Sequence, residues 1–134
     1  MRASLAPLAR AGASAEHIGN AARSMWRDID AALSPIIGQR GVAALYKRSL
    51  YLARADHPCL VAVYDAASTR DEFAALQASL SEQESPDAAF ANDALLQTFC
   101  SLLITLIGAS LTERLLQTVW DGHTSGDAAK GTSP

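Results

Sequence analysis

The sequence predicts an all-α fold, a single compact bundle of five or six helices with flexible N- and C-terminal tails. Two observations carry that expectation. The 134 residues include 27 Ala and 17 Leu against only 10 Val plus Ile, and Ala and Leu lose little entropy on entering a helix. The larger apolar residues between about 14 and 120 also recur with the 3.6-residue period of a helix. A chain that is 49% hydrophobic and 19% charged is not disordered, and its length suits one domain. The bundle is assigned to residues 14–120. Residues 1–13 form an Ala-rich leader interrupted by Pro7 and Gly12, and residues 121–134 a tail with no apolar residue larger than Ala.

The first helix is expected from Ser14 or Asn20 to Leu33, with Met25, Trp26, Ile29 and Leu33 on one face and a break or kink at Pro35. Gly38 and Gly41 mark a turn. A second helix follows from about Arg40 to Arg54, anchored to the core by Val42, Leu45 and Leu52. Asp56-His57-Pro58 ends it. Residues 58–64 are short and apolar, so helix and strand both remain open there. Thr69 to Glu72 reads as a capping box opening a helix to about Gln83. Ser85, as cap to Pro86 and Asp87, opens a helix to Ile107. Gly108 interrupts the chain in a left-handed helix-ending conformation, and a second capping box, Ser110 to Glu113, starts a last helix to Trp120.

An echo runs through the chain at an offset of seventy. Ile37-Gly38 aligns with Ile107-Gly108, Leu33 with Leu103, Ile29 with Phe99, Leu45 with Leu115, Tyr46 with Leu116 and Leu50 with Trp120. Each half then reads as helix, Ile-Gly break, helix. In a chain this rich in Ala and Leu, duplication and chance explain so few identities about equally well.

Two surfaces stand out. Arg40, Lys47 and Arg54 recur every seven residues, Tyr51 falls on the same line, and no acidic residue lies between Gln39 and Ala55. Cations spaced along a rigid helix beside a tyrosine suit an acidic or phosphorylated protein partner. The helix ending at Ile107 carries an apolar arc wider than one packed face requires. It reads as a central helix surrounded by its neighbours or as one that packs a face against a second copy of the chain, and on the second reading Leu95, Phe99, Leu102 and Leu106 are expected at a homodimer interface. The charge is split, +4 over residues 1–64 and −7 over residues 65–134. The net charge of −3 points to neither nucleic acid nor an anionic membrane.

No nucleophile motif, phosphate loop or ligand spacing appears, so no catalytic, cofactor or metal residue is assigned. His57, Cys59, Cys100 and His17 lack the spacing that supplies two metal ligands from one turn. Two cysteines do not make a disulfide framework. The apolar run Ala94–Ile107 is shorter than the roughly 20 residues a membrane span needs, and a cytoplasmic location is expected. The leading expectation is a non-enzymatic protein–protein interaction or regulatory module, of a kind that suits bacterial signalling, self-associating through its apolar helix. The alternative is a small-ligand or cofactor-binding helical domain with an apolar pocket beside Phe99–Ile107.

Overall fold

The computed structural model describes residues 5–65 and 72–120. These form an all-α bundle of α1 (Ala6–Arg10), α2 (Ala15–Ala53), α3 (Cys59–Asp65), α4 (Glu72–Ser81), α5 (Ser85–Ile107) and α6 (Ala109–Trp120). The ambiguous apolar segment is helix α3. Its buried residues, Leu60 and Val63, stand three apart on one helical face.

The first two expected helices are the two arms of α2, which meet at a kink. Of the two expected starts, Ser14 and Asn20, α2 takes Ser14, whose Oγ caps it by accepting the His17 N–H at 3.1 Å. Pro35 does not stop it, because Ala31 and Pro35 both face solvent and the carbonyl that proline leaves without a partner can meet water. The break falls three residues later at Gly38, with φ 83° and ψ 156°. Gly108 separates α5 from α6 with nearly the same angles, φ 92° and ψ 155°. The extended ψ differs from the expected left-handed helical conformation. It places both residues in a region that essentially only glycine enters.

Local hydrogen bonding departs from the expected caps. Ser85 is the first residue of α5, and its Oγ donates to the Ala13 carbonyl at 2.6 Å, tying α5 to the turn after α1. Ser110 lies inside α6, where the Gly108 carbonyl accepts the Thr112 N–H at 3.1 Å. The Thr69 to Glu72 box lies outside the described residues. The folded unit also takes in residues 5–13 of the expected leader. Leu5 is buried, its N–H donates to Asp93 Oδ1 at 3.1 Å, and Leu8, Ala9 and Ala13 pack on the core.

The echo at seventy residues is present in three dimensions. Every buried residue of α2 from Ile18 through Leu50 has a buried counterpart seventy positions on. Met25, Trp26 and Ile29 match Leu95, Leu96 and Phe99. Val42, Tyr46 and Leu50 match Thr112, Leu116 and Trp120. Each half is a short helix, a long helix, a glycine break and another helix. The short helices are exchanged: α1 packs on α5, and α4 packs on α2. The contacts Ser85 to Ala13 and Trp26 to Asn92 show that α5 and the first arm of α2 run in the same direction.

The core joins the halves through aromatic rings. Trp26 meets Tyr46 and Phe99 edge-on, with centroids 5.2 and 5.1 Å away, and stacks on Phe73 of α4 at 6.3 Å. Such pairs are worth about 0.5–1.5 kcal/mol beyond their burial. The Trp26 indole N–H donates to Asn92 Oδ1 at 2.9 Å, so the one polar atom of the ring is satisfied. Part of the wide apolar arc of α5 is thus covered by the first half of the same chain, while Phe90 and Ile104 stay 66% and 41% exposed. Leu95 and Phe99, expected at a homodimer interface, are wholly buried inside the monomer, and Leu102 is half-buried. Leu106 remains 59% exposed. At 23 residues, α5 is long and apolar enough to cross a membrane, unlike the shorter run judged from sequence, and 39% of its 18-residue apolar stretch is buried inside the bundle.

The exchange of short helices sets one tight contact. A Cβ added to Gly19 would stand 2.8 Å from the Gln77 carbonyl and 2.8 Å from Ser81 Oγ. The equivalent position in the second half holds Ala89. Gly19→Ala is expected to lower the denaturation midpoint. Pushing α4 away costs about 1–3 kcal/mol, more than the up to about 1 kcal/mol that alanine gains in a helix. A raised midpoint would show that α4 moves aside freely.

Candidate functional site

The second arm of α2 turns Val42, Tyr46, Ser49, Leu50 and Ala53 inward. That leaves Arg40, Lys47, Arg48 and Tyr51 exposed and Arg54 half-exposed. The chain then reverses: the N–H groups of Asp56 and His57 both donate to the Ala53 carbonyl at 3.2 Å. Burial of Leu60 and Val63 fixes the inner face of α3, and Ser79 Oγ pins α3 to α4 by donating to the Cys59 carbonyl at 2.6 Å. So held, α3 carries Tyr64 back against α2, where its ring lies 5.7 Å from that of Tyr51.

The result is a basic and aromatic cluster. The Arg54 guanidinium sits 4.3 Å from the Tyr51 ring centroid and 5.4 Å from that of Tyr64. Lys47 Nζ lies 5.5 Å from Tyr64, and the Arg48 guanidinium 5.6 Å from Tyr51. Ala44, Lys47, Arg48, Tyr51 and Tyr64 line an open cleft of about 400 Å³. Arg54 Nε is buried without a hydrogen-bond partner. The rings hold the cations at their faces, which is the geometry of cation–π attraction. Among the described residues no carboxylate pairs with Lys47, Arg48 or Arg54.

Three of the four residues expected at the partner surface, Lys47, Tyr51 and Arg54, come together here. Arg40 lies two helical turns from Lys47, about 10 Å along the axis, and does not line the cleft. Arg48 joins from the flank of the stripe. Tyr64 comes from another helix and left no signal in the spacing along α2. One expected anchor is corrected: Leu52 is 40% exposed and lies on the outer surface. It stands four residues from Arg48, at the edge of the cationic face.

The internal repeat separates scaffold from surface. The core positions recur at the offset of seventy, but Arg40, Lys47, Arg48, Tyr51 and Arg54 correspond to Ser110, Gln117, Thr118, Asp121 and Thr124. One half carries the cluster, and in the other the described counterparts Ser110, Gln117 and Thr118 on α6 are neutral.

A second cleft, of about 470 Å³, is lined by Asn20, Arg23, Ser24, Arg27, Asp28 and Gln77. Its polar groups are engaged with one another: Arg23 Nη1 donates to Gln77 Oε1 at 3.0 Å, and Gln77 Nε2 donates to Asn20 Oδ1. Neither cleft borders Phe99–Ile107. His57 packs edge-on against Phe90 at 5.1 Å. Burial pushes the Cys59 thiol above its ordinary value; a backbone hydrogen bond opposes the rise and the Asp87 charge adds to it. Cys59 is thus the reverse of an activated thiolate. Among the described residues no three His, Cys, Asp or Glu side chains gather as metal ligands. No family model matches the chain, and no curated protein or solved structure matches it significantly.

Proposed function

We propose that this protein is a non-enzymatic interaction or regulatory module that docks an acidic or phosphorylated segment of a partner protein on the α2–α3 face. The observation that supports this reading is the cluster of Lys47, Arg48 and Arg54 on the rings of Tyr51 and Tyr64, carried by only one of two otherwise matching halves. Arg and Tyr are enriched among residues that dominate protein–protein binding energy. Uncompensated cations steer an anionic partner and raise its association rate. A nucleic-acid reading is less favoured, because the guanidinium stacked 4.3 Å from Tyr51 occupies a ring face on which a base would stack.

The test compares proteins recovered with the wild-type chain and with a Lys47→Glu, Arg54→Glu variant, at low and at moderate salt. The variant should keep its helicity; it removes three cation–π contacts, each worth about 0.5–1 kcal/mol when exposed, so a loss of up to about 3 kcal/mol is expected. It should fail to recover a partner that the wild type holds at low salt and releases as salt rises. Arg40→Glu alone should weaken recovery far less. Identical recovery by wild type and double variant would show that the face is only solvated.

A further inference from the structure

The cationic cluster has apolar edges, and they bear on what the partner segment must look like. Leu52 and Val61 are 40% and 38% exposed, and Tyr51 between them is 43% exposed. Leu52 lies one helical turn from Arg48 on α2. Val61 lies one turn from Tyr64 on α3, and residues three or four apart on a helix are surface neighbours. Along its own helix each is thus an apolar neighbour of a residue that lines the cleft, Arg48 for Leu52 and Tyr64 for Val61. An anionic ligand alone would use the centre and leave both edges in water. A polyanion without apolar groups gains nothing from them.

Resting on the docking reading above, we infer that the partner segment is an acidic peptide with apolar anchors between its carboxylates: the carboxylates meet Lys47, Arg48 and Arg54, and the anchors cover Leu52 and Val61. Charge complementarity selects the acid, and the exposed aliphatic edges select the anchors. The two parts act on different rates. Charge sets how fast the segment arrives and how strongly salt slows it. Apolar contact sets how slowly it leaves, as most affinity differences do.

The probes are two labelled twelve-residue peptides of equal negative charge, one glutamate-rich with two leucines, the other with both leucines replaced by serine. They are titrated into the full chain and followed by fluorescence anisotropy. The leucine peptide should bind about tenfold tighter, the value of partly burying two such side chains. Leu52→Ser with Val61→Ser should remove that difference and leave the serine peptide's affinity unchanged. Both positions are exposed, so the fold should survive, which circular dichroism checks. Leu52→Ser alone, at one edge, should remove part of the difference. Lys47→Glu with Arg54→Glu should abolish binding of both peptides.

Equal affinity of the two peptides for the wild type would overturn the anchors while leaving the charge reading in place. Absence of binding to either, or indifference to the charge reversal, would overturn both. Tighter association with phosphatidylserine vesicles than with the leucine peptide would also overturn the inference and assign the face to an anionic membrane.

Discussion

Phe99→Ala is expected to lower the free energy of unfolding by about 3–5 kcal/mol, by the same amount at every protein concentration. Phe99 is wholly buried, and its ring meets Trp26 edge-on at 5.1 Å. Truncation removes the buried ring area, the aromatic contact and the packing between α5 and the first arm of α2, which runs along it in the same direction. The loss is a large share of the about 5–15 kcal/mol that holds a typical domain together. Leu106→Ser, at a position 59% exposed, should stay within about 0.5 kcal/mol. Denaturant melts of both variants at several concentrations check this. A small effect at Phe99, or a midpoint that climbs with concentration, would return Phe99 to an interface between chains.

Gly38→Ala and Gly108→Ala should each cost about 1–3 kcal/mol. The sign is opposite to that for a glycine inside a regular helix, where alanine is favoured by up to about 1 kcal/mol. At φ 83°, ψ 156° and φ 92°, ψ 155° any Cβ strains the backbone. A Cβ at either position would meet nothing within 4 Å, so the cost is conformational and not steric. The two substitutions should therefore cost similar amounts although their neighbours differ. Denaturant midpoints read the effect. An unchanged or raised midpoint for either variant would mean that the break straightens into a continuous helix without loss.

Local rules made the helices legible. The Ala and Leu excess and the apolar spacing are properties of single segments, and they located the long helices, the glycine breaks and the cap at Ser14. Elsewhere a long-range contact outweighed a local rule. Ser85 looked like a cap, but it is the first residue of α5 itself, and its hydroxyl donates to the Ala13 carbonyl. Residues 5–13 carry too little apolar area to order alone, yet α1 is ordered because α5 offers a face to cover. Pro35 was a reasonable stop signal, and solvent at Ala31 removed its force.

The candidate site divided along the same line. Lys47, Tyr51 and Arg54 share one helix, so a 100° step per residue brought them onto one line. Tyr64 reaches them only through the reversal at residues 54–58 and the burial of Leu60 and Val63. Leu52 sits at the edge of the apolar face of α2, where periodicity alone cannot say whether a neighbour covers it.

By itself the sequence determined that the chain is helical, where its glycines interrupt the helices, and that one helix carries an uncompensated row of cations, because each follows from residues within a few turns of one another. Only the tertiary structure decided what covers what. The apolar arc of α5 asked for a partner, and its residues fit a second chain as well as another part of the same one. The first half of the chain covers Leu95, Phe99 and Leu103 and leaves Ile104 and Leu106 exposed, since a segment already tethered needs no association from solution to bury the same surface.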